Sequence, residues 1–421
     1  MCENVLEILK ILIILAMLLG SVPFLVWMER KGAAYIQDRR GPNRATVLFT
    51  RFGGIFHGMA DAIKLLSKEE VCPEGSYKPF YFAAPILALF LSLISVAVIP
   101  FAEPLKIGGC EFNLQIADLR SGLIYVLAIS SFSAHAILYA GWGSNNKYSL
   151  IGGLRSSAQL ISYEIPMALA AISIFMVAGS FRITDIVLDQ GVVPLYWNIV
   201  RQPVAFVIFF VALMAESNRL PFDLPEAEAE LVAGYHVEYS SMKFAMFFMA
   251  EYIHMFIAGL LIATLFLGGW QIPFINAELL KTSSYEIILF VVPLLGALLA
   301  LLGALSIGSF KKCPTPFGKG DCGPIIAGSL LLIVGVVLIV GGFLAGMLDL
   351  PLWVSNVMLF LLQIVVLLIK AIFVCLLFIW IRWTLPRFRY DQMMRLGWRV
   401  LLPLGMINLI VTGAVIMYIK Y

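Results

Sequence analysis

Charge is scarce in this chain: 13% of its 421 residues are Asp, Glu, Lys or Arg, against 61% hydrophobic. Soluble domains carry about 25% charged residues, so a water-soluble globular reading is excluded. Histidine is rarer still, at four residues, and the six cysteines stand at 2, 72, 110, 313, 322 and 375 without C-x-x-C clustering. Zinc and iron–sulfur sites need such clusters, so no metal centre is expected here. His135 and His254 lie in apolar stretches and are read as packing or hydrogen-bonding groups in preference to a haem-ligating pair. Cys313 and Cys322 share a loop assigned to the reducing cytoplasm, where free thiols are the default. No charged block occurs twice, as the internal repeats of many transporters would require. Gly318 to Gly323 fits G-x-G-x-x-G but sits in a Pro-rich turn between apolar runs, so a dinucleotide site is not expected. A net charge of only +3 gives no nucleic-acid signal.

What is present is a succession of apolar runs long enough to cross ~30 Å of hydrocarbon. They predict an all-α, polytopic integral membrane helical bundle; a β-barrel would need shorter segments of alternating polarity. Ten spans are expected, near 5–27, 79–102, 119–141, 159–180, 200–215, 243–269, 286–309, 324–348, 354–383 and 399–419. The first lacks a basic n-region and a small-residue cleavage site, so it reads as a membrane helix instead of a leader. Loops 28–78, 142–158, 216–243, 310–323 and 382–399 hold 21 of the 29 Lys and Arg, against four in the opposite loops. The positive-inside rule then places those basic loops in the cytoplasm and both termini outside. Within the first loop, Val47, Leu48, Phe52, Ile55, Phe56, Met59, Ile63 and Leu66 recur at helical spacing among Arg51, Asp61 and Lys64. That pattern predicts one amphipathic helix, lying at the interface or folded under the bundle.

Against this background the run Ala215 to Tyr239 stands out. It carries Glu216, Asp223, Glu226, Glu228, Glu230 and Glu238, with Glu251 following in the next apolar stretch. Glu164, Glu251 and Lys370 fall inside expected spans, where an isolated charge costs about 2.5–3.5 kcal/mol at the bilayer centre. They are therefore expected to face the bundle interior. A purely structural reading pairs Glu251 with His254 on one helix face and lets Lys370 snorkel or meet an acid. For the whole set a functional reading is stronger, because a row of carboxylates in a hydrated, low-dielectric cavity can hold and pass protons. Asn218 to Pro225 adds two prolines and Arg219, as suits a rigid, folded-in loop placed to contact a soluble partner.

Five blocks carry a resemblance to a known family: ERKGAAYIQDRRGPNR (Glu29 to Arg44), ADAIKLLSKE (Ala60 to Glu69), GWGSNNKYSLIGGLRSSAQLISYEIP (Gly141 to Pro166), Ala215 to Tyr252, and LPRFRYDQMMRLGWRVLLP (Leu385 to Pro403). In this order they resemble the heel subunit of respiratory complex I, the proton-pumping NADH:quinone oxidoreductase. The resemblance covers 1–274 as a membrane core and 353–421 as a helix pair completing it; Ile275 to Leu352 departs from the pattern and reads as an inserted two-helix hairpin. It implies a quinone-access tunnel with Arg30, Arg39, Asp61 and Lys64 lining or supporting it. It further implies an acidic path through Tyr163, Glu164, Glu216, Arg219, Asp223, Glu226, Glu228, Glu230 and Glu251. Quinone (ubiquinone or menaquinone) would be a substrate, with no prosthetic group on this chain. The implied partners are the peripheral-arm subunits carrying the terminal iron–sulfur cluster and the quinone site, the small and antiporter-like membrane subunits, and the lipid of a bacterial inner membrane. The resemblance leaves open the equivalent subunit of an energy-converting hydrogenase or other donor-linked relative, and the acids themselves leave open a stand-alone proton-coupled transporter.

Overall fold

In hydrocarbon each backbone N–H and C=O must be satisfied internally, and the apolar runs accordingly fold as helices. The computed structural model describes residues 2–39, 41–42, 54–107, 110–224, 228–274 and 352–420, with scattered helical positions between 293 and 340. In chain order the helices are α1 (Cys2–Ile36), α2 (His57–Ser67), α3 (Lys78–Ile94), α4 (Gly122–Gly143), α5 (Lys147–Ala178), α6 (Ile183–Gln190), α7 (Asn198–Arg201), α8 (Pro203–Glu216), α9 (Glu228–Leu231) and α10 (Ser241–Phe266). α11 (Leu352–Thr384) and α12 (Tyr390–Arg395) follow, and a π-helical turn, Leu396–Leu401, leads into α13 (Leu402–Lys420). Among the described residues, seven helical segments are long and apolar enough to span a membrane, and α8 is a shorter apolar helix beside them. The all-α expectation holds, with a small exception: β1 (Leu105–Ile107) and β2 (Cys110–Phe112) pair antiparallel between α3 and α4.

α10 is the central post of the bundle. Ile257 to Phe266 are all buried, and Gly259 lets α11 approach so closely that a Cβ there would lie 2.7 Å from Ala371 O. Such a small-residue seam is how helices pack tightly where lipid removes the hydrophobic driving force. Gly259→Leu should force α10 and α11 apart and destabilise the protein by about 1–3 kcal/mol, as overpacking generally does. A thermal unfolding series with Ala and Leu at this position checks it, the larger side chain giving the larger loss.

α10 ends inside the protein, where its last carbonyls have no intrahelical donor. Side chains from two other segments supply two of them, and a third segment supplies the turn that follows. Gln190 Nε2 donates to Thr264 O at 2.9 Å and Asn198 Nδ2 to Leu265 O at 2.8 Å. Lys370, on α11, donates to Leu267 O, Gly269 O and Gln271 O at 2.7, 2.8 and 2.9 Å, with its ammonium 4.5 Å from the Trp197 ring centre. Among the described residues Lys370 therefore meets backbone carbonyls and no carboxylate, and it sits at the negative end of the α10 dipole.

One sequence expectation needs adjusting, and two others fall partly or largely outside the described residues. The segment 142–158 is expected as a loop, but α5 begins at Lys147, where the Asn146 side chain accepts from Tyr148 N at 3.0 Å and caps it. The amphipathic helix expected over 45–66 is described only as α2, because 43–53 lie outside the described residues. The inserted hairpin over 275–352 also lies largely outside them. Its described positions set Gly296 against Gly335 and Gly303 against Gly328, so that an advance along one helix is an equal retreat along the other.

Away from the bundle, Arg182 donates from Nε to Asp118 at 2.8 Å and fastens the end of α5 to the loop before α4. This hydrogen bond holds Asp118 below the usual carboxylate range. Its stabilisation is therefore complete above the ordinary Asp pKa and is lost as pH falls through the depressed one. The pair is partly exposed and contributes no more than about 1 kcal/mol.

Candidate functional site

Where α1, the loop after α8, α10 and α11 converge, the bundle holds a network of charged groups. Glu29, with a side chain 9% exposed, is its centre. Its Oε2 accepts from Tyr252 OH at 2.9 Å and from Arg219 Nη1 at 3.4 Å, and its Oε1 accepts from Arg382 Nη1. Arg219 also stacks on the Tyr252 ring at 4.0 Å and lies 4.0 Å from Glu251 Oε2. Glu251 in turn accepts from Tyr235 OH at 3.1 Å and lies 4.0 Å from His236 Nε2. Charges this deep are tolerable only when paired and hydrogen-bonded. Two carboxylates against two guanidinium groups meet that condition.

The backbone that positions these groups is built locally. After α8 the chain turns through Asn218, at φ +50, to the cis Leu220–Pro221 bond. The buried Gln159 amide holds the turn from α5, donating to Ala215 O at 2.7 Å and Phe222 O at 2.9 Å. Tyr235 and His236 sit on a short 3-10 turn pressed against α5. The contact depends on Gly152, where a Cβ would lie 2.7 Å from Gly234 Cα. Asp223 accepts from Arg387 at 2.8 Å, and Tyr163 OH donates to Met393 O at 3.0 Å, so both brace the segment before α12 and α12 itself.

From Glu251 a series of small cavities leads to the remaining acids. One of about 30 Å³ is bounded by Glu216, Asn218, Tyr235, Glu251 and His254. A second, of about 20 Å³, lies between Ser130, Glu216, Ser217 and His254. A third, of about 10 Å³, has Glu164, Glu216, Ser130 and Tyr163 in its wall. A cavity needs roughly 10–15 Å³ on this measure to hold a water, so the first two are water-sized and the third borders on it. Glu216 lines all three. His254 lines two of these cavities together with Glu216, and in one of them Glu251 shares the wall.

A larger apolar cavity of about 330 Å³ lies on the other side of α1 and α10. Its walls are Leu19, Val22, Pro23 and Val26 of α1, the α2 face from Gly58 to Leu66, and Met242, Ala245, Phe248 and Met249 of α10. Asp61 is its acidic group, bridged to Arg30 at 2.6 Å. The cavity and the charged network share two helices. Arg30 follows Glu29 on α1, about 100° around the helix, and Glu251 and Tyr252 follow Phe248 and Met249 on α10.

The structure thus brings together Glu164, Glu216, Arg219 and Glu251, and separately Arg30 with Asp61. It does not bring all the expected residues to these sites. Lys64 is exposed on α2 away from the cavity lining, and Arg39 is exposed beyond α1 with its Nε on Gln37 Oε1 at 2.6 Å. Glu230 is exposed and pairs with Arg155 at 2.9 Å. Glu226 lies outside the described residues, as does the Glu228 side chain. Sequence reasoning missed Glu29, Tyr235, Tyr252 and Arg382. Glu29 and Arg382 each close an apolar run on the basic side, a position that resembles an ordinary interfacial anchor. Among the described residues no group of His, Cys, Asp or Glu could hold a metal ion.

Fold and site define a class: a polytopic helical membrane protein whose interior carries linked carboxylates beside an apolar cavity. A family model described as NADH dehydrogenase matches residues 9–307 and 322–413. Relatives that bear the name of the NADH-quinone oxidoreductase subunit lettered H include one from Solibacter usitatus, 41% identical over 97% of this chain and 96% of its own length. Those from Geobacter sulfurreducens and Salinibacter ruber are 38% and 40% identical, over 97% and 96% of this chain and 96% and 94% of their own lengths. The chain belongs to this family, that of the heel membrane subunit of NADH-quinone oxidoreductase, or respiratory complex I. The family model covers most of 275–352, and relatives matched over nearly their whole length carry a comparable stretch of chain.

Proposed function

We propose that this chain admits quinone from the bilayer into the apolar cavity between α1, α2 and α10, and passes the charge change of its reduction into the acid series. The observation that carries this reading is the sharing of α1 and α10 by the cavity and the network around Glu29. A cavity of about 330 Å³ is of the size and apolar character that small-molecule sites use. Electrons reach the quinone from an iron–sulfur cluster on a peripheral-arm partner, and this chain supplies the tunnel wall, orientation and charge.

Quinone reduction takes up two protons and alters the charge near Arg30 and Asp61. A shift of α1 or α10 in response repartitions Glu29 among Arg219, Arg382 and Tyr252. Arg219 is then more or less available to Glu251, and the change in potential moves protons among Glu251, Glu216 and Glu164 through water-sized cavities. Arg39, Lys64, Glu226, Glu228 and Glu230 act at the rim, in contact with the partner that reduces quinone. Antiporter-like membrane subunits receive the signal beyond Glu164, and the 275–352 helix pair packs at the periphery of the core. The chain resides in a bacterial inner membrane with its basic loops in the cytoplasm and both termini in the periplasm.

Gentle purification from native membranes, followed by an NADH-driven quinone reduction assay with and without a tunnel-blocking quinone analogue, tests the reading. Inhibitable activity in a large complex is expected. Copurification with a hydrogenase-like partner and hydrogen turnover without quinone would overturn it in favour of the donor-linked alternative.

A further inference from the structure

α2 has no fully buried residue, yet it forms one whole wall of the apolar cavity. Packing alone therefore fixes it weakly, and polar fastenings carry much of the task. Arg30 bridges from α1 to Asp61 at 2.6 Å. Lys243, near the start of α10, lies 2.9 Å from Glu70 just past the end of α2. Between them, Ser241 Oγ is 2.9 Å from Lys68 O and 3.0 Å from Leu65 O. The last carbonyls of a helix have no intrahelical donor, so α2 is capped by the first residue of α10. Ser240 adds a bond from the other direction, its Oγ accepting from Val71 N at 3.1 Å.

The Ser241 backbone carries a further mark. Its φ is +56°, a left-handed conformation that a non-glycine residue keeps where its surroundings over-determine it, commonly at functional sites. Met242 and Ala245, just beyond it, are themselves cavity wall. The junction is also tied to the acid loop, because Tyr81 OH donates to Glu238 O at 2.8 Å and lies 3.3 Å from Val71 O.

We infer that Ser241 is a positioning residue: its hydroxyl cap on α2 sets the spacing of α2 and α10, and with it the width of the cavity through which an isoprenoid quinone tail passes. The inference rests on the quinone reading above and deepens it. The cap touches neither the redox head nor the acid series, so its loss falls on the fit of the tail. Long isoprenoid tails depend on a cavity of defined width, whereas short-tailed quinones depend on it little.

The test uses the assembled complex in native membranes with Ser241→Gly, Ser241→Ala and Ser241→Asn, assayed with a short-tailed and a long-tailed quinone. Glycine relieves the left-handed backbone but removes the hydroxyl, whereas asparagine tolerates that conformation and retains a donor. The glycine and alanine variants should raise KM for the long-tailed quinone about fivefold, with kcat held within about twofold and the short-tailed KM little changed. Asparagine should restore most of the difference. Equal effects on both quinones, or a fall in kcat at constant KM, would overturn the inference while leaving the quinone reading intact. A wild-type complex that reduces neither quinone would overturn the quinone reading itself, and the inference with it. The spacing is read separately from disulfide formation between Leu66→Cys and Met242→Cys, which should slow in the glycine background. An unchanged rate would contradict a role for the cap in spacing.

Discussion

Glu29→Ala should cost the protein about 3–5 kcal/mol, the loss seen when one partner of a buried ion pair is removed. The carboxylate is 9% exposed and stands between Arg219, 8% exposed, and Arg382, 22% exposed. Without it both guanidinium groups lose their shared counter-charge, and Tyr252 OH loses its 2.9 Å acceptor. Glu251, 4.0 Å from Arg219, compensates only part of this. Thermal unfolding of the solubilised complex measures the loss, and blue-native electrophoresis follows assembly. The double variant Glu29→Ala with Arg382→Met should be milder than the two single costs combined, because it removes a charge along with its partner. A single-variant loss below about 1 kcal/mol would mean that the charges are solvated and the network is not a buried one.

Lys370→Met should rank next in effect. One ammonium satisfies Leu267 O, Gly269 O and Gln271 O, and each buried polar group left without a partner costs about 1–3 kcal/mol. The same change removes a cation from the C-terminal end of α10, a further cost of about 0.3–1 kcal/mol. Lys370→Arg should rescue poorly, since a planar fork does not converge on three carbonyls as a compact ammonium does. Hydrogen exchange over 264–271 should quicken in both variants, and a small alkylammonium should partly restore Lys370→Ala. Unchanged exchange in Lys370→Met would show that the α10 terminus is held by Gln190 and Asn198 alone.

The fold was legible because hydrocarbon leaves the chain few choices. Runs of apolar residues had to be helices, and α1, α3, α4, α5, α8, α10, α11 and α13 lie where eight of the ten expected spans fall. The first turns of α5 were missed because Lys147 to Ala158 are too polar to count as span, although Asn146 followed by Tyr148 N is a legible cap. In the site, the sequence identified Glu164, Glu216, Arg219 and Glu251 as odd residues in apolar surroundings. It could not supply the pairings. Glu29 meets Arg382 and Tyr252 across most of the chain, and no local period records such contacts. Lys370 is the clearest case: its charge was conspicuous, but its partners are backbone carbonyls, which have no sequence signature.

The most direct measurement of the central claim is proton translocation and quinone reduction by the assembled complex in sealed proteoliposomes, comparing wild type with Glu164→Gln and Glu216→Gln. Each variant removes a titratable carboxyl from the cavity wall that both acids share while keeping its shape. If these acids carry the coupling, NADH-driven proton translocation falls by about tenfold or more in each, as loss of a proton-transfer group generally entails, and quinone reduction falls with it. Normal rates of both processes in both variants would contradict the account.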